Sequence, residues 1–133
     1  MALRWYSVVV DCHDIAAQVR WWAEVLDWHI FYESDDEAVL IPKHASLEKL
    51  RSMPWEEVPP GLIFVPVPED KQVKNRLHLD LAPHTSDDRD AEIARLLALG
   101  ATRVEVGQSD DATWDVLADP EGNEFCVLSA REM

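Results

Sequence analysis

Apolar and polar positions along this chain follow two rhythms, one of period two and one near 3.6, and they recur in the same order in each half. Arg4 to Cys12 is rich in β-branched and aromatic residues, which predicts a strand. Asp14 is placed to cap a helix. Ile15, Val19, Trp22 and Leu26 then recur at spacings of three and four, predicting a helix to about Leu26. Trp21 adjoins Trp22 and does not fully share its face, so it is expected to flank the buried stripe or meet another subunit. Trp28 to Glu33 and Glu37 to Ile41 read as strands around a hairpin turn at Ser34-Asp35-Asp36. Lys43 to Pro60 reads as a long connection with a single helical turn near Leu47 to Leu50. Pro54, Pro59 and Pro60 exclude a regular element across its end. Gly61 to Val67 is a further strand, and Pro66 and Pro68 put its far end at an edge or outside the sheet.

The second half repeats this order. Asn75 to Ala82 reads as a strand and Pro83 to Ser86 as a loop. Asp88 caps a helix through Leu99 that carries Ile93, Leu96 and Leu97, with Gly100 as its stop signal. Thr102 to Val106, Thr113 to Ala118 and Glu124 to Ser129 read as three strands. Asp119, Pro120, Gly122 and Asn123 supply a tight turn between the last two, through a side-chain cap, a preset φ and tolerance of φ > 0. The order β-α-β-β-β, twice, predicts an α+β domain of two modules, at about residues 1–70 and 71–133. A six-stranded ferredoxin-like arrangement is the alternative.

Composition narrows the function classes. An apolar content of 47% with six tryptophans argues against disorder. A net charge of −14 would repel phosphate backbones and anionic lipids, so neither nucleic acid nor a membrane is an expected partner. The N-terminal apolar run is short and is interrupted by Asp11, unlike a secretory signal. With Cys12 and Cys126 read as reduced, buried thiols, a cytoplasmic location is expected. The four glycines show no dinucleotide or P-loop spacing, and no GxSxG occurs.

Alternation places candidate chemistry on two strands. His78 and Asp80 share one face of Asn75 to Ala82. Glu124, Cys126 and Leu128 share one face of the last strand, with Phe125 and Val127 opposite. Together these strands suggest a pocket. Trp114, alternating with Val116, either lines it and stacks on flat ligands or packs in the core. Cys126 with His78 has the makings of a thiol–imidazole pair, but no third orienting group is in view. Asp80 with Glu124 would serve as acid and base if buried; exposed or paired carboxylates are the commoner outcome. His13, His29, His44 and His84 are expected to face solvent.

The motifs VVVDCHD before a helix with WW, KNRLHLDL, ARLLALGA and DPEGNEFCVL together resemble the vicinal oxygen chelate superfamily, in particular its small glyoxalase-like bacterial members. The resemblance covers nearly the whole chain. It implies paired βαβββ modules whose curled mixed sheets enclose a cup (the glyoxalase/bleomycin resistance/dioxygenase fold). Many members hold a divalent metal there, on one ligand from the first and one from the last strand of each module, usually His and Glu. Carried over residue by residue, these positions fall on Ser7, near Val65, on His78 and on Cys126. His78 alone is retained, so a divalent metal cofactor is disfavoured. Asp11 and Asp80 share strand faces with Ser7 and His78 and are the available substitutes. The cup would be lined by Ser7, Val9, Asp11, His78, Asp80, Trp114, Glu124 and Cys126.

The resemblance then implies a protein that binds a small organic molecule at a degraded metal site, as a homodimer. One alternative is a metal-dependent lyase, isomerase or dioxygenase. The other is a structural or regulatory homodimer with a vestigial cup.

Overall fold

A computed structural model describes residues 3–133, which form two compact units dividing between Glu69 and Asp70. The first unit contains β1 (Ser7–Cys12), α1 (Ile15–Leu26), β2 (Trp28–Glu33), β3 (Ala38–Pro42), α2 (Leu47–Ser52), a 3-10 turn (Trp55–Glu57) and β4 (Gly61–Pro66). Its strands run in the order β1-β4-β3-β2, with β1 and β4 parallel and the other pairs antiparallel. The second contains β5 (Leu79–Leu81), α3 (Arg89–Ala98), β6 (Thr102–Arg103), β7 (Asp115–Ala118) and β8 (Glu124–Val127), in the order β5-β8-β7-β6. Again the first and last strands pair in parallel. The two units therefore share one topology, β-α-β-β-β, and the ferredoxin-like alternative falls.

In the first unit, parallel partners share a face, so Val8, Val10 and Cys12 of β1 stand beside Leu62, Phe64 and Pro66 of β4. Phe64, Leu40 and Ala38 are fully buried there. The helix contributes Ile15, Gln18, Val19, Trp21, Trp22 and Val25. Trp21 does not flank the stripe. It is buried within the chain and meets Trp22 edge to face at 5.1 Å, because the buried arc of α1 is wide enough to take adjacent residues. Leu26 is only half-buried; Val25 fills the last core position before Asp27 ends the helix in a left-handed conformation. Asp14 caps the helix as expected, accepting from the Ala17 amide at 3.0 Å.

The predicted first strand loses its start. Arg4 lies outside β1, its guanidinium over the rings of Tyr6 and Trp55 at 4.8 and 4.2 Å, and it donates to the Val58 carbonyl at 3.1 Å. These contacts tie the Lys43 to Pro60 connection to the N-terminal segment. The helical turn expected near Leu47 extends to Ser52, capped by Ser46. Pro66 pairs with Cys12 but lies past Phe64, the last β4 residue paired with β3, so its missing N–H costs no antiparallel hydrogen bond.

The second unit has shorter strands than the alternation predicts, because side chains take over backbone partners. Asn75 to His78 stays outside β5; the Asn75 amide donates to the Glu124 carboxylate (3.3 and 3.4 Å) instead of to a ladder. After Arg103 the backbone bonds once more, from the Val104 amide to the Val116 carbonyl. The Gln108 side chain then serves the Val106 amide and the Val104 carbonyl. Arg89 ties α3 to the sheet, donating to the Val127 and Leu128 carbonyls at 2.8 and 2.9 Å and pairing with Asp115 at 3.1 Å.

Two buried carboxylates lock β8. Asp119 accepts from the Glu121 and Asn123 amides at 2.9 and 3.0 Å and from Asn123 Nδ2 at 3.2 Å. Gly122 takes the positive φ of this turn (92°), whereas Asn123 does not. Glu124 pairs with Lys71 at 2.9 Å, and Lys71 Nζ also donates to the Val73 carbonyl. Burial alone would raise the Glu124 carboxyl. The Lys71 ammonium, its own backbone amide and the Asn75 amide more than offset this and hold it below the ordinary carboxylate range.

Asp119→Ala leaves several donors unpaired and is expected to destabilise the fold by about 2–3 kcal/mol, with Asp119→Asn costing less, measured by urea denaturation. Glu124 contributes stability that is complete above the ordinary carboxylate pKa and is lost as pH falls through its lowered value. Glu124→Gln is therefore expected to be less stable than wild type at pH 7 but to lose less on acidification. Parallel stability–pH curves for the two proteins contradict this.

Candidate functional site

The second unit encloses a cavity of about 420 Å³, within the range that takes a drug-sized molecule. Its residues arrive from three directions. His78 and Asp80 come from the β5 end, Glu124, Cys126 and Leu128 from β8, and Trp114 and Val116 from β7 and the loop before it. The register explains the convergence. Asp80 is the parallel partner of Cys126, and Cys126 is the antiparallel partner of Val116, so the three side chains share one sheet face. His78, two residues before Asp80, keeps that face although it precedes the strand.

The polar floor is close-set. His78 Nδ1 lies 3.0 Å from Asp80 Oδ1 and 3.7 Å from Cys126 Sγ. The imidazole and carboxylate are exposed, at 41% and 47%, while the thiol is buried. Burial, then the neighbouring Asp80 carboxylate, push the Cys126 thiol up, and Lys74 acts weakly in the other direction. A thiol so placed stays protonated at neutral pH, which argues against the thiol–imidazole nucleophile. Asp80 is exposed and Glu124 is committed to Lys71, so they do not form an acid–base pair.

Five expected pocket residues, His78, Asp80, Trp114, Glu124 and Cys126, thus line this one cavity. Trp114 is not a core residue: it is 40% exposed on the cavity wall. Ser7, Val9 and Asp11 belong to the first unit, on the face of β1 that carries Gly61, Ile63 and Val65 of β4. Val9 and Asp11 are exposed and Ser7 half-buried. Lys74, Val106, Gly107 and Gln108 also line the cavity and were not anticipated. They lie in irregular segments, where no periodicity assigns a direction to a side chain. His13, His29, His44 and His84 are exposed, as expected.

The strand register also tests the metal ligand set that the resemblance implies. Cys126 lies level with Asp80, two residues beyond His78. The residue that stands to Ser7 in the same relation is Ile63, level with Val9; Val65 is level with Asp11. Both are apolar, so β4 offers no donor at either position. With a serine and a thiol at two of the remaining positions, these residues do not fit a hard divalent cation on His and Glu.

The glyoxalase-like domain family matches residues 7–128. A glyoxalase/bleomycin resistance protein/dioxygenase family enzyme from Burkholderia phytofirmans superposes with a TM-score of 0.67 at 18% identity, covering 96% of this chain and 98% of its own. A fosfomycin resistance protein, FosX, from Listeria monocytogenes, in complex with Mn(II) and a sulfate ion, gives 0.68 at 11% identity, covering 98% and 92%. FosX from Mesorhizobium loti gives 0.65 at 12%, covering 96% and 92%. Identities this low make the likeness one of fold. No curated protein matches the sequence. With the family matched from the first residue of β1 to the residue after β8, the chain belongs to the glyoxalase-like domain family.

Proposed function

We propose that this protein binds a small organic molecule in the cavity of its second unit, and that it does so without the hard-cation ligand set of its superfamily. The observation that carries the reading is the cavity itself. An exposed indole, Trp114, forms part of its wall, and the polar residues Lys74, His78, Asp80 and Gln108 also line it. A flat group stacked on Trp114 and hydrogen-bonded at its edge by these side chains uses what the site offers. The neighbouring FosX structures include two with Mn(II); the β4 side of this chain supplies no donor for such an ion at the matching level.

The same reading includes a homodimer. Trp5, Tyr6, Phe31, Tyr32 and Trp55 of the first unit expose large apolar surface, which a second copy would cover. Light scattering at micromolar concentration is expected to give twice the 15.2 kDa chain mass.

A small-molecule library screened by thermal shift is expected to yield compounds that raise the melting temperature, since binding the native state stabilises it. Trp114→Ala is expected to weaken those compounds about tenfold, the loss of one stacking contact. Compounds that bind equally well to Trp114→Ala and Gln108→Ala would place the ligand elsewhere and overturn the proposal.

A further inference from the structure

We propose that His78, Asp80 and Cys126 form a three-donor zinc site on the floor of the cavity, assembled within the second unit, with the fourth coordination position open to the cavity. It shares the pocket with the organic-ligand reading but does not depend on it. Along the sequence His78 and Cys126 fall at ligand positions and Asp80 is an available substitute; the structure brings the three together.

The first support is geometric. The ligand atoms of the three residues all lie within 4.8 Å of one another, and no other three such donors converge among the described residues. Zinc binds sulfur at about 2.3 Å and nitrogen or oxygen at about 2.0–2.2 Å, so tetrahedral ligand atoms stand about 3.3–3.6 Å apart. Two of the spacings, 3.0 Å for nitrogen to oxygen and 3.7 Å for nitrogen to sulfur, lie close to those values, and the third is within 4.8 Å. Completing the set takes side-chain shifts that bring the Asp80 carboxylate and the Cys126 sulfur from within 4.8 Å to that spacing. Two of the three donors sit at exposed side chains that are free to make them.

The second support is chemical. Nδ1 faces both the Asp80 carboxylate and the Cys126 sulfur and has a single hydrogen-bonding position to offer them. A thiolate beside Asp80 would place two negative charges together, which a cation relieves. On binding, Zn²⁺ replaces the thiol proton: one Zn–S, one Zn–N and one Zn–O bond form, one S–H bond breaks, and one proton leaves to solvent. The 2+ charge of the ion is balanced by one thiolate and one carboxylate, and a water takes the fourth position. Sulfur, imidazole nitrogen and a single carboxylate suit zinc and disfavour manganese or magnesium, which take oxygen donors in larger numbers.

Cobalt(II) serves as the spectroscopic probe. Chelator-treated full-length protein titrated with Co²⁺ is expected to show a near-ultraviolet thiolate-to-cobalt charge-transfer band with intense visible bands of a tetrahedral ion, all abolished by stoichiometric Zn²⁺. About one proton should be released per zinc at neutral pH, from the replaced thiol. Cys126→Ser is expected to lose the charge-transfer band and Cys12→Ser to keep it. Asp80→Asn, at an exposed position that does not endanger folding, is expected to weaken zinc at least tenfold while leaving the melting temperature of the metal-free protein unchanged. Absence of the band in wild type, its survival in Cys126→Ser, or equal zinc affinity in wild type and Asp80→Asn would each overturn the site. The compound screen repeated with chelator separates the two proposals. Trp114-dependent binding without any cobalt signal leaves the pocket standing and removes the zinc; a cobalt signal with no bound compound does the reverse.

Discussion

The parallel pairing of β5 with β8 is the constraint on which the site depends. Its register sets Asp80 level with Cys126, and the antiparallel pairing of β8 with β7 sets Cys126 level with Val116. Because side chains alternate, slipping β8 by one residue would turn Cys126 and Glu124 to the other face and bring Phe125 and Val127 into the cavity. Several interactions hold that register at once. Asp119 closes the turn before β8, Glu124 draws Lys71 and the Asn75 amide onto its first residue, and Arg89 takes the two carbonyls at its far end.

These fastenings are polar because the strands are short. β5 has three residues and β6 two, so ladders alone supply few hydrogen bonds. Side chains complete the account: Gln108 serves the backbone past β6, and Glu124 serves it before β5. In a chain with an excess of fourteen negative charges, the few cations placed inward carry more than solubility. Lys71 neutralises the one carboxylate buried beside the cavity, and Arg89 and Arg103 both reach Asp115. Asp80 is left facing His78 and the Cys126 thiol.

The two units use a common topology for unlike surfaces. In the first, the face of β1 and β4 away from α1 carries Ser7, Val9 and Asp11 beside Gly61, Ile63 and Val65, a largely apolar set. In the second, the corresponding strands carry Asp80, Glu124 and Cys126, with His78 just before β5. The chain has concentrated its donor chemistry in one module, which is the arrangement a single-unit site requires.

Much of this was legible in the sequence. The order of elements followed from periodicity and from local chemistry, with Asp14 and Asp88 as helix caps, Gly100 as a stop and the Asp119 to Asn123 turn. The alternation of β8 and the pairing of His78 with Asp80 on one face also followed, because a strand's period is fixed by its backbone. Strand lengths were not legible, since they depend on whether a side chain from elsewhere captures an amide, as Glu124 does at Asn75. Nor was the burial of Trp21, which depends on how wide an arc of α1 the sheet covers. The cavity residues Lys74 and Gln108 sit in irregular segments that carry no directional signal. The distance between His78, Asp80 and Cys126 was likewise beyond the sequence. Forty-five residues separate Asp80 from the next of them, and only the register of two strands distant in the chain brings a third donor within reach.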